Sequence, residues 1–350
     1  MGIPLFVEGL TPIPAPGEEW AELEMSRAFL KDLDKEIQLI RDAADVGGMA
    51  RYPIDFTRGY NAALTDQQQL RTLAILSSLS GHVHAHDGET LDVLKDLKSI
   101  FATSDSIRGE PTLVSQLIRI STHAIGCELT ADLLPYCKWS DVDLQELQNA
   151  TGRADFRSER RTAFHGELAL CLSEIDGYPY PQSLFRGANK SEVIRLMAES
   201  TEGLEISWYE ALKWQQKVDT ELKAISAGLF SPIMYKGLIR NVHAIHRCIN
   251  AGIKAEARQN CCIAAIAVQR YRLKHGTLPK TLTDLQDFVP NEDPSKSSRL
   301  VDPFDGQPLR FKARGNGVLI YSIGDNRVDD NGEVEKKGQQ TGDIGYLILE

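Results

Sequence analysis

Along most of the chain apolar residues return every three or four positions, and only near the end does the step shorten to two. Between residues 17 and 46, Trp20, Leu23, Phe29, Leu30, Leu33, Ile37 and Ile40 keep the longer spacing with charges between them, which predicts one amphipathic helix. The pattern recurs from Leu70 to His86 and from Glu89 to Phe101, broken at Asp87-Gly88, and predicts a helical hairpin. After Pro111, Leu113, Leu117, Ile120, Ala124 and Cys127 share one face of a further helix. The next begins at Ser140, a good N-cap, with Asp143 placed to reach back to it. Helical runs also cover about 154–173, 189–228 and 238–275.

Beyond His275-Gly276 the texture changes. Thr281 can cap a short helix, TLTDLQDFV, with Asp284 at its third position. Period-two segments follow at Leu309–Phe311, Val318–Tyr321 and Tyr346–Leu349, and Gly315-Asn316-Gly317 fits a hairpin turn between the first two. The Pro and Asp-Gly of VDPFDGQP signal another turn. The predicted fold class is mainly α, with an irregular antiparallel helical array over residues 1–240. Residues 241–350 supply a long helix and a small α+β domain with a three-stranded antiparallel sheet. The array is similar in plan to helical-repeat scaffolds, without the strict tetratricopeptide pattern.

Composition adds exclusions. With 350 residues, 42% hydrophobic and 25% charged, the chain is long enough for a sizeable core and suggests two domains. A formal charge of -10 would repel a phosphate backbone, so nucleic acid is not an expected partner. No apolar run reaches the roughly 18 residues of a membrane span, and the opening segment lacks the basic start and apolar stretch of a signal peptide. The six cysteines show no CxxC spacing and read as buried free thiols, with the adjacent Cys261 and Cys262 about 100° apart on an apolar helix.

The order AAIAVQRYRLKHGTLPKTLTDLQDF, DPFDGQPLRF, YSIGDN and GDIG resembles the C-terminal half of the major pseudopilin of type II secretion. The resemblance covers about residues 260–350 and makes the tail a pseudopilin-like module. It implies a calcium ion in the loop before the last strand, with Ser322, Asp325 and Asp343 at the matching positions and Asp329 and Asp330 in the loosely aligned stretch between them. The chemistry is compatible, because calcium takes six to eight hard oxygen ligands in irregular geometry, and these aspartates would repel one another in a compact loop without a cation. By composition alone the same loop reads as solvated and mobile; the resemblance reverses that reading. It is not an EF-hand, since Arg327 falls at the third position from Asp325.

The family's filament-forming apolar helix is absent, replaced by some 240 residues of helices, so filament assembly is not implied. The helical part loosely resembles bacterial proteins that carry the same tail, through GEPTLVSQLIRI and RTAFHGELAL. Those relatives often begin with a membrane anchor, so an anchor upstream of Met1 is an expectation.

Rival chemistry centres on HVHAHDGE. On a helix His82 and His86 share a face and His84 points away, so the segment is either a metal-ligand pair or a solvated helix end. His243 and His246 lack the Glu of an HExxH motif. Glu167, an acid in an apolar helix, is either a general acid or base or a structural partner of Arg157, Arg160 or Arg161. No catalytic motif is recognisable. The expected function is a non-enzymatic scaffold that binds a protein partner, with a calcium-stabilised tail and a possible link to type II secretion. The alternative is a metal-dependent hydrolase using His82, His86 and Glu167. Calcium favours an exported or periplasmic location, with cytoplasmic as the alternative.

Overall fold

The structure is a computed structural model, described over residues 13–61, 65–180, 182–203, 207–226, 236–290, 299–333 and 342–349. Helices dominate and a small sheet closes the fold, as the periodicity predicts. In order they are α1 (Leu23–Asp32), α2 (Asp34–Val46), α3 (Thr65–His86), α4 (Thr90–Ser106), α5 (Leu113–Leu133), α6 (Asp141–Gly152), α7 (Arg160–Asp176), α8 (Arg186–Gly203), α9 (Trp208–Ser226) and α10 (Lys236–His275). Strands β1 (Arg310–Arg314), β2 (Gly317–Ser322) and β3 (Ile344–Leu349) form an antiparallel sheet in that order. Among the described residues no helix is long and apolar enough to cross a membrane.

Local chemistry sets several boundaries. Ser140 Oγ accepts the Asp143 N–H at 3.2 Å while Asp143 accepts the Ser140 N–H at 2.9 Å, which closes a capping box at the start of α6. Thr281 and Asp284 build the same device, but the segment it opens, Leu282–Phe288, winds as a 3-10 helix. Gly315, at φ +61°, turns β1 directly into β2.

Several expectations change, among them the single run predicted over about 189–228, which is divided between α8 and α9. The helix predicted over 17–46 is two helices, broken at Leu33 with φ -110° and ψ 16°; Leu30 and Ile37 on either side join one cluster with Leu76, Leu79 and Val83 of α3. The face predicted for α5 is also displaced, because Leu117 is 37% exposed while Ser115, Gln116, Arg119, Thr122 and His123 are buried. Most of these polar groups meet others across the interface: Gln116 donates to the Arg108 carbonyl, His123 meets the Thr151 carbonyl, and Arg119 lies in ion-pair reach of Asp105 and Glu159, while the Thr122 hydroxyl has no hydrogen-bond partner. Contacts with distant polar groups override the hydrophobic period here.

The core is organised by α10. From Cys261 to Val268 every residue is at most 2% exposed, and this run packs against α5 and α6 and against β2 and β3. One apolar cluster therefore runs from Val93, Leu97 and Leu129 of the helical part through α10 to Val318, Ile320 and Ile348 of the sheet. The cluster draws residues from both expected parts, 1–240 and 241–350. Side-chain amides fix the register: Gln259 donates to the Thr151 and Ala154 carbonyls, Asn260 to Val301, and Gln148 of α6 to Ile263.

α5 and α7 meet where the backbone at Pro111 lies on Gly166, so close that a Cβ at Gly166 would overlap the Pro111 carbonyl. An alanine normally gains about 1 kcal/mol over glycine inside a helix. At this position the overlap with backbone reverses the sign, and Gly166→Ala is expected to destabilise by about 3 kcal/mol, measured as a lower urea midpoint.

Candidate functional site

The tail is built around a turn that sequence reading treats as punctuation. Asp302, fully buried, gathers four donors: its Oδ1 accepts the Ser322 hydroxyl at 2.8 Å and the Phe304 N–H at 3.0 Å, and its Oδ2 accepts the Ile323 N–H at 2.9 Å and Arg310 Nη1 at 3.0 Å. The DPFDG turn is thereby pinned to the end of β2. Burial pushes the Asp302 carboxyl above its ordinary value, with these hydrogen bonds pulling the other way. The Asp-Pro-aromatic turn is the signal that could have marked Asp302 as an anchor.

From that anchor the acidic loop folds back over the outer face of the sheet. Gly332, at φ +83°, lies directly on Leu319 and Tyr321, which are 1% and 0% exposed although they point away from α10. Tyr321 donates its hydroxyl to Asp329 at 3.0 Å, Lys312 reaches Asn331, and Arg314 donates to the Gly332 carbonyl. Arg327 and Asn331 adopt left-handed backbone at φ 55° and 62°, which curls the loop tightly. Its exit is held by Asp343, fully buried, whose Oδ2 accepts the Gly332 N–H at 2.7 Å and whose Oδ1 accepts the Asp330 N–H at 3.4 Å.

The predicted ligand residues divide accordingly. Asp329, Asp330 and Asp343 are brought together: burial lifts the Asp343 carboxyl above its usual range, and the neighbouring Asp329 and Asp330 charges add to the rise. Ser322 is committed to Asp302, and Asp325 pairs with Lys254 of α10 at 3.3 Å. Asp330 also accepts the Asn326 amide at 2.7 Å. Among the described residues no group of three or more His, Cys, Asp or Glu side chains converges as a ready-made metal site. The loop residues 334–341 lie outside the described residues.

The rival histidine set is distributed rather than assembled. His82 is 8% exposed with Nδ1 unpartnered, His84 Nδ1 lies 2.8 Å from Asp96, and His86 meets the Pro14 carbonyl and the Trp20 ring. The end of α3 is therefore packed rather than solvated. Glu167 takes the Leu113 N–H at the start of α5, while the Arg160 guanidinium stacks 3.7 Å from the Trp208 ring centroid. The described contacts do not bring Glu167 to either His82 or His86. His246 pairs with Asp219 at 3.1 Å, and His243 is exposed.

Two measurements follow from this geometry. Asp302→Ala leaves three buried protein donors and a guanidinium without their acceptor, and is expected to cost about 3 kcal/mol in chemical denaturation. Burial depresses His82 to about 4, so it stays neutral in the fold and takes up a proton on unfolding. Its contribution is intact above the unfolded value near 6.5 and is lost as pH falls toward 4. Between pH 8 and 5.5 the loss is about 1.4 kcal/mol. His84 runs the opposite way: burial opposes its charge, but Asp96 outweighs burial and raises it. Comparing the pH slope of wild type with that of His82→Phe isolates His82, and parallel slopes would refute its role.

Comparison with known proteins finds no matching family model, curated protein or solved structure.

Proposed function

We propose that this chain is a non-enzymatic scaffold of the bacterial envelope, in which a helical array presents a pseudopilin-like module stiffened by calcium. The observation that carries the reading is the closure of the acidic loop on Asp343, which sets Asp329 and Asp330 beside a buried carboxylate. A divalent cation relieves that like-charge repulsion, and the oxygen-rich composition suits calcium. Asp329, Asp330 and Asp343 would hold it with backbone carbonyls of the curled loop, after Asp330 releases Asn326. Ser322 and Asp325 support the loop from outside the ion.

The location rests on the same chemistry, because free calcium is abundant outside the cytosol. The protein partner and the link to type II secretion rest on the resemblance of the tail. α10 supports the scaffold reading by joining the helices and the sheet through one apolar cluster.

Melting curves in calcium and in chelator test the proposal. With a dissociation constant near 10 μM, about 1 mM calcium would stabilise the folded chain by roughly 2.7 kcal/mol. The shift is expected in wild type and in Asp325→Asn and absent in the double variant Asp329→Asn/Asp330→Asn. Superimposed wild-type curves would overturn it.

A further inference from the structure

Between α6, α10 and the 3-10 helix Leu282–Phe288 lies a cleft of about 280 Å3, just under the roughly 300–1,000 Å3 of pockets for drug-sized ligands. Its back is rigid. Gln148 is fully buried, with Nε2 donating to the Ile263 carbonyl at 3.0 Å and Oε1 accepting Arg270 Nη1 at 3.0 Å. Arg270 also donates from Nε and Nη2 to Asp141, at 2.8 and 3.2 Å, and from Nη1 to the Phe288 carbonyl at 3.2 Å. These four bonds leave one of the five guanidinium N–H groups, on Nη2, for the cleft. The facing wall is fixed by the capping box of Thr281 and Asp284 and by Phe288, which is buried and edge-on to Tyr271.

The rim is the opposite case. Gln145, Asn149, Gln286 and Asp287 are exposed there, and among the described residues their side chains form no hydrogen bond or ion pair, so their polar groups are open to a ligand. Charge then narrows the choice. Arg270 is neutralised by Asp141, whose carboxyl it holds below the ordinary value, and Asp287 is left as the net charge of the lining, which repels phosphates and carboxylates. Val289 and Pro290 alone in the lining are apolar, too little surface to draw a lipid or an aromatic ring from water. What fits is a neutral polar molecule. Each amide pairs a donor with an acceptor, and so does each hydroxyl of a sugar, so neighbouring hydroxyls satisfy one amide at both of its ends.

We propose that this cleft binds a single neutral sugar ring, held by the amides of Gln145, Asn149 and Gln286 and by the Asp287 carboxylate. Asp287 accepts from ring hydroxyls, the remaining Nη2–H of Arg270 donates to one, and the C–H face of the ring rests on Val289 and Pro290. Because the back of the cleft is already locked by Gln148 and Arg270, ordering falls mainly on the exposed amides, and the ligand meets a preformed floor. The site involves neither the acidic loop nor a cation.

The test is saturation-transfer NMR on the full chain in chelator, so that its outcome is independent of calcium binding. The probes are the methyl glycosides of glucose, mannose and galactose, and N-acetylglucosamine, each at about 10 mM, with acetate and glycerol alongside. At least one sugar is expected to show transfer with a dissociation constant of order 1 mM, and acetate none. Asn149→Ala and Gln286→Ala, both at exposed positions, are each expected to weaken that binding about tenfold, whereas Gln38→Ala on α2, outside the cleft, leaves it unchanged. No transfer to any of the four sugars, transfer that survives in the double variant Asn149→Ala/Gln286→Ala, or equal transfer to glycerol would overturn the proposal. Acetate binding that no sugar displaces would also overturn it, by making the cleft an anion site.

Discussion

The structure depends on a stretch of α10 that must be buried on both sides. From Cys261 to Val268 the helix faces α5 and α6 in one direction and the sheet in the other, and five of its eight residues are Cys or Ala, which lets both layers approach. A strand in that position would need neighbours for its backbone groups, whereas a helix satisfies them internally and leaves its whole surface for packing. Flanking polar residues then set its register. Gln259 and Asn260 end on carbonyls at and just after the end of α6 and in the turn before β1, and Arg270 reaches Asp141, Gln148 and the Phe288 carbonyl. Sliding the helix by a residue would strand the buried amides of Gln259 and Asn260, at about 1–3 kcal/mol apiece.

The sheet meets the opposite problem. Its inner face rests on α10, but three strands leave an outer face that includes Leu319 and the ring of Tyr321. The acidic loop covers it, and this explains why so polar a segment is ordered at Asp329 and Gly332: backbone and glycine lie on the apolar face while carboxylates line the upper side and bind N–H groups. Covering the sheet and collecting negative charge are therefore one event.

Much of this was legible from local rules. The caps at Ser140 and Thr281, the break at Asp87-Gly88, the Gly315 turn and the three strands each follow from a few adjacent residues whose backbone demands are strong. What stayed hidden depends on partners distant in sequence. The buried side of α5 is polar because Arg108, Thr151 and Glu159 come to it, and no periodicity within α5 could announce them. His82 looks like a helix-end histidine until Trp20 and the helices after it are folded against α3. Asp302 was visible as part of a turn, but its role as the receiver of four donors needs β2 in place.

These hidden groups share a consequence for specificity. Arg119, with no exposed surface, sits between Asp105 of α4 and Glu159 at the start of α7, and Arg41 of α2 reaches Asp92 and Asp96 of α4. Desolvating such charges largely cancels their attraction, so they add less to stability than apolar residues of equal size would. They do exclude alternatives. A helical array held by apolar faces alone could slip by a turn or exchange neighbours at small cost, whereas a slip that parts Arg119 from Glu159 leaves a charge in the core. The polar interior of α5 therefore selects one arrangement of the helices around α10, and through α10 it fixes where the sheet and its covering loop are presented.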